Sequence, residues 1–147
     1  MSKSDAFENA WLQLVFNNVN IANIGDATGL RGSTTAGNLY VSLHTADPGE
    51  TGTEATSEIS YTGYARQAVA RSSAGWTVTG NSVSPTANIQ FPTSTGGTGG
   101  TATHWSVGVA SSGASTILYS GTITPNISVA AGVQPILLAS GTTITED

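Results

Sequence analysis

Two histidines and a run of carboxylates are the side chains here whose types and spacing suggest chemistry. His44 lies just before Asp47, and Asp47, Glu50, Glu54 and Glu58 follow one another through a glycine-bearing turn. His44, Asp47 and one of many serines have the makings of a base, an orienting acid and a nucleophile, but no Gly-x-Ser-x-Gly elbow presents a serine. Zinc held by His44 and His104 without a thiolate needs carboxylates whose positions nothing in the sequence fixes. The four carboxylates are oxygen ligands of the kind calcium takes, yet their spacing departs from the EF-hand, and the plainer reading is an acidic turn. Glycoside hydrolysis asks for two carboxyl groups held rigidly at roughly 5–10 Å, which a mobile turn does not provide. Gly97-Thr98-Gly99-Gly100-Thr101-Ala102 matches the dinucleotide fingerprint letter by letter. That motif cradles pyrophosphate only between a strand and a helix, whereas Thr103-His104-Trp105 continues as a strand, so the tract reads as a flexible loop. No enzyme, cofactor or metal is expected.

The elements that would position these residues are strands. Leu39, Val41 and Leu43 alternate with Tyr40, Ser42 and His44, which puts one face of a strand on a core and leaves His44 half-buried or at the rim. Trp105, Val107 and Val109 alternate in the same way with His104, Ser106 and Gly108. Candidate strands are 38–45, 64–71, 75–79, 82–84, 87–91, 103–110, 116–123, 127–129, 133–139 and 142–146. Gly80-Asn81 and Ser111-Ser112-Gly113 mark turns, and Pro85, Pro92, Pro125 and Pro135 fall at or beside strand ends. Short strands with turn signals between them, and no βαβ alternation, predict a mainly β fold: an antiparallel β-sandwich or partly closed barrel with one N-terminal amphipathic helix.

That helix is expected over residues 4–17. Ser4 can cap it, Asp5 and Glu8 suit its positive end, and Phe7, Trp11, Leu14 and Val15 form one apolar stripe. A helix this short is marginal alone and must dock, either on the chain's own sheet or on a neighbouring subunit. Residues 18–37 follow as a polar connection punctuated by glycines, with no firm period, of the sort usually ordered by function or by a partner. The division expected is a helix and extended arm over 1–37 and a β-sandwich domain over 38–147. Phe7, Trp11, Leu14, Val15 and Arg31 are the candidate partner-interface residues.

Composition narrows the functional class. The chain has 147 residues, no cysteine, 9% charged residues and a net charge of −5. Lys3, Arg31, Arg66 and Arg71 are its only cations, too few and too scattered for a phosphate-binding stripe, so no nucleic-acid partner is expected. No apolar run approaches membrane-spanning length, and the opening Met-Ser-Lys-Ser-Asp has no apolar block behind it, so neither a membrane partner nor a secretory leader is expected. A surface of Thr, Ser, Asn and Gly suits lateral packing better than free diffusion. The aromatics Trp76, Trp105, Tyr40, Tyr61, Tyr64 and Tyr119 read as core or interface, or alternatively as a sugar-stacking surface.

Several segments, taken in order, resemble small tail-fibre-type virion proteins of tailed phages. They are Leu39–Asp47 with Pro48-Gly49-Glu50 and Gly52, Gly63–Val69, Asn88–Pro92, Thr103–Gly108, Leu118-Tyr119-Ser120-Gly121, and Gly132 to Ile144. The likeness spans about residues 5–145. The 18–37 segment and the Gly/Thr tract at 93–102 depart from it. The resemblance implies a non-enzymatic structural protein of the virion, assembled in the host cytoplasm, tail-fibre-like or acting as capsid decoration or cement. Its implied partners are other virion proteins, major capsid or tail proteins, and further copies of itself in a homo-oligomer. A receptor- or carbohydrate-binding module is the alternative.

Overall fold

The computed structural model describes residues 2–147. Its one α-helix, α1 (Asp5–Asn17), begins at Ser4, whose hydroxyl accepts from the Phe7 N–H at 3.4 Å. Asn18 ends it in the left-handed conformation (φ 59°), and the Val19 N–H closes back on the Gln13 carbonyl at 3.1 Å. No described helix is long and apolar enough to cross a membrane.

Nine strands follow: β1 (Asn38–His44), β2 (Gln67–Ala70), β3 (Trp76–Thr79), β4 (Ser82–Pro85), β5 (Ile89–Gln90), β6 (Gly100–Gly108), β7 (Ile117–Val129), β8 (Ile136–Leu137) and β9 (Ile144–Thr145). They pair antiparallel in three sheets, ordered β2-β1-β6-β7, β3-β4-β9 and β5-β8. None closes into a barrel, so of the two expected architectures the sandwich type holds.

The core follows from register. Val41 faces Val107 and Leu43 faces Trp105 across the β1–β6 pair, so both alternating strands turn their large apolar residues to one side. There they meet Leu12 and Phe16 of α1, Trp76, Val83 and Ile144 of the β3-β4-β9 sheet, and Phe91 and Leu137 beside the β5-β8 pair, in one continuous cluster. Gly121 lies opposite Trp105, and a Cβ there would come within 2.9 Å of the indole; the missing side chain makes room for the ring.

Three expectations are corrected. The expected strands 116–123 and 127–129 are one bent strand, β7, which contains Pro125 at the point where pairing with β6 lapses between Thr122 and Ile127. Pro125 is tolerated inside it because β7 is the sheet's outer strand. The Gly/Thr tract is partly strand, since β6 starts at Gly100 and pairs it with Val129. His44, expected at half burial, is completely enclosed, because the segment after β1 returns alongside it. The Thr45 N–H donates to Ser57 and the Ile59 N–H to Leu43, which holds the segment along β1 and brings the Thr56 carbonyl to His44 Nδ1.

Candidate functional site

The docking of α1 decides which surfaces remain for partners. Its buried residues are Glu8, Leu12 and Phe16, with Val15 packed against the core. That set is the expected stripe moved on by one residue, a rotation of about 100°. The helix carries an apolar arc broader than its own core covers, and the expected stripe lies at its outer edge. Phe7 is 37% exposed, and Trp11 and Leu14 are half-buried. Trp11 Nε1–H donates to the Tyr119 hydroxyl at 3.1 Å, and that hydroxyl donates in turn to Glu146, whose carboxylate holds Lys3 at 2.9 Å. Helix, outer strand and C-terminal segment are thereby joined.

Arg71 fixes the other end of the helix. Its guanidinium donates to the Val15 carbonyl at 2.6 Å and the Leu14 carbonyl at 2.5 Å, where the helix leaves carbonyls unpaired and its dipole is negative. The same group donates to Asn18 Oδ1 and Ser33 Oγ, tethering the start and end of the 18–37 arm. Within the arm, Ile21 and Leu30 form an isolated antiparallel bridge, and the Asp26 carboxylate accepts from the Thr28 and Gly29 N–H groups. The Thr28 hydroxyl donates to the same carboxylate, and this bond first, with the two N–H bonds, holds the Asp26 carboxyl below the usual carboxylate range. Val19, Ile24 and Leu30 stand exposed along the arm, and Arg31 is exposed beside them.

The acidic turn does not converge on a cation. Glu54 and Glu58 turn inward to Arg66, whose side chain is 2% exposed. Arg66 grips Glu58 through two parallel bonds of 2.8 Å and reaches Glu54 Oε2 at 3.2 Å. Its two remaining donors go to the Ala110 and Gly113 carbonyls at 3.0 and 2.7 Å, with Ser115 Oγ sharing the Nη1 hydrogens at 3.2 Å. Tyr64 links this cluster to β1, donating to Glu58 and accepting from the Leu43 N–H; its burial pushes the phenol far above its usual range. Asp47 and Glu50 stay outside, exposed beside Ile117–Ser120. Among the described residues no group of three or more potential ligands gathers as a metal site.

His44 sits in a sealed polar patch. Its Nδ1 lies 2.8 Å from the Thr56 carbonyl, which can only accept, so Nδ1 carries the proton. Nε2 then accepts from Ser106 Oγ at 2.8 Å, and Ser42 Oγ lies 2.7 Å from Ser106 Oγ. The Ser–His pairing is that of a nucleophile and base, but Ser42, His44 and Ser106 have no exposed surface and no substrate can reach them. Burial, with the Arg66 charge acting in the same sense, drives the imidazole pKa below 6.5, against the Thr56 carbonyl and Glu58. A depressed folded-state value means that the unfolded chain protonates first. Stability from this group is therefore full above about pH 6.5 and declines as pH falls toward the folded-state pKa. Denaturant titrations should show the wild type losing more stability than His44→Gln between pH 7 and pH 5; equal losses would contradict a neutral buried imidazole.

The aromatic residues divide between core and rim. Trp76 and Trp105 are buried at 0% and 3% exposure, and Tyr61 is buried as well, so none of these offers a face to a sugar. Of the interface residues read from the sequence, Phe7, Trp11 and Leu14 share the outer arc of α1, Val15 turns toward the core, and Arg31 stands apart on the arm. Sequence reasoning missed the Arg66 cluster. The signal was an arginine directly before a short strand in a chain with four cations, downstream of two glutamates left without a partner.

No curated protein matches the chain. Its sequence does match, over residues 2–145, the family described as "Podophage GP4 fiber I protein gp80". A match of nearly full length, on a mainly antiparallel β fold with one docked helix, places the chain in that family, as a phage tail-fibre-type protein of the virion.

Proposed function

We propose that the chain is a compact, non-enzymatic building block on the virion surface, working through repeated protein–protein contacts. The observation that carries this reading is large apolar side chains left exposed on α1 and on the arm that follows it. Phe7 of α1 and Val19, Ile24 and Leu30 of the arm are exposed, and Trp11 and Leu14 are half-buried, beyond what the core requires. Large apolar side chains left exposed beyond the core's needs mark a candidate protein-binding face. Attachment to a particle needs roughly 800 Å² per partner, and many weak copies acting together reinforce it. A compact block of this kind serves a fibre base or a decorated shell alike. The burial of Trp76 and Trp105 weighs against the glycan-binding alternative.

Phe7→Glu combined with Ile24→Glu is the direct test, since both side chains are exposed and the fold should survive. In phage supplied with only this variant, the amount of chain in purified particles is expected to fall about tenfold or more, the effect of about 1.4 kcal/mol lost per contact. Incorporation at the wild-type level would overturn the proposed attachment face.

A further inference from the structure

Three of the four cations are committed within the chain. Lys3 pairs with Glu146, Arg66 with Glu54 and Glu58, and Arg71 with the end of α1. Arg31 makes no ion pair or side-chain hydrogen bond among the described residues, and it stands exposed on the arm beside Leu30, itself 39% exposed. On the acidic side, Asp47 accepts only from the Gly49 N–H of its own turn, and the exposed Glu50 carboxylate has no partner among the described residues. These two carboxylates border a cleft of about 350 Å³ whose other wall is Ile117–Ser120, the first part of β7.

That wall belongs to an open sheet edge. The loop covers it at one end, where Thr53 bridges Thr116 and the Glu54 N–H donates to the Ser115 carbonyl at 2.9 Å. From Ile117 onward no described backbone group bonds to β7 from the side away from β6. The strand Ile117–Val129 carries no charged residue, although exposed edges are commonly guarded by charge. Leu118 is 37% exposed there. The arm is tied to the opposite edge of the same sheet: Arg71, just past β2, donates from its guanidinium to Asn18 Oδ1 and Ser33 Oγ, and β2 and β7 are the two outer strands.

We infer that the occupant of the β7 cleft is the 18–37 arm of a second copy of this chain. The Arg31 guanidinium of one copy sits between Asp47 and Glu50 of the next, and Leu30 covers Leu118. The donor and acceptor surfaces are on opposite edges, so one copy cannot satisfy both by folding on itself. The contact is head-to-tail, and it closes into a ring or continues as a row according to the angle between copies. The charge match selects register, while Leu30 against Leu118 supplies the apolar contact. This names a partner for the contact-making block proposed above and rests on that reading for its setting in the virion.

The test is sedimentation velocity of the purified full chain over a concentration series at low and high salt. The wild type should self-associate, and salt should weaken the association because the charges are exposed. Arg31→Glu, and separately Asp47→Arg with Glu50→Arg, should each weaken association about tenfold or more. Combining all three substitutions should bring it back to near the wild-type value. Circular dichroism should show an unchanged fold, since all three side chains are exposed. A wild type that stays monomeric up to about 1 mM, an Arg31→Glu variant that associates like wild type, or a combined variant no better than its parents would each overturn the inference. Monomers that still enter particles would remove this contact and leave the attachment reading standing. Self-association in a chain whose attachment-face variant still enters particles would do the reverse.

Discussion

Arg66→Met should cost about 3–5 kcal/mol of unfolding free energy, the range for removing one partner of a buried ion pair. The cause lies in what stays behind. Glu54 has no exposed surface, its Oε1 has no partner, and its Oε2 depends on Arg66, Ser115 and the Ala110 N–H. Without the guanidinium, the Glu54 and Glu58 carboxylates remain in a poorly solvated site with no countercharge. The same arginine ties the 53–66 segment to the turn between β6 and β7, so its loss should also loosen the wall that covers His44. Arg66→Met with Glu54→Gln should recover part of the loss, because one uncompensated charge is removed. Gly108→Ala probes the cluster from the other side, since a Cβ there would stand 2.0 Å from Glu54 Cδ. Urea denaturation measures all three variants. A loss below about 1 kcal/mol for Arg66→Met would put the pair in the class of exposed salt bridges and contradict its placement.

Phe16→Ala should cost a further large amount, about 3–5 kcal/mol, whereas Phe7→Ala should cost less than about 0.5 kcal/mol. Phe16 is fully buried, edge-on to Trp76 at 4.8 Å between ring centroids and 5.6 Å from Tyr119. Phe7 lies on the outer arc of the same helix. The contrast reads out the rotation of α1 directly. If Phe7→Ala proved the costlier of the two in urea denaturation, the helix would be docked on the face expected from periodicity and not on the one described here. Because Leu12 and Phe16 share a core with β1, β3, β4 and β6, deleting the helix should expose Trp76 and weaken the whole domain.

The sequence carried the strands well because alternation is local. Leu39–Leu43 and Trp105–Val107 each show which face goes inward, and their register follows once they pair. The ends of α1 were equally legible, since Ser4, Asp5 and Asn18 act within one turn of themselves. The face of the helix was not legible, because its apolar residues span more than a semicircle and distant partners, the β3–β4 hairpin, Tyr119 and Arg71, select among them. His44 shows the same limit. Its strand alternates as a one-sided strand should, and nothing local tells that the 53–60 segment returns to cover the second side. Glu54 and Glu58 read as turn acids because their partner Arg66 lies beyond the turn, and the carbonyls it bonds lie more than forty residues further on. The interface candidates on the helix drew on apolar character alone, which marked Phe7, Trp11 and Leu14 but could not separate them from Val15.

A reconstruction of the intact virion tests the central claim most directly. The account predicts density for this chain on the particle surface, with the outer arc of α1 and the 18–37 arm against neighbouring protein and the sealed His44 patch facing no ligand. Finding the chain attached with Phe7, Trp11 and Ile24 turned to solvent, or missing from mature particles, would contradict it.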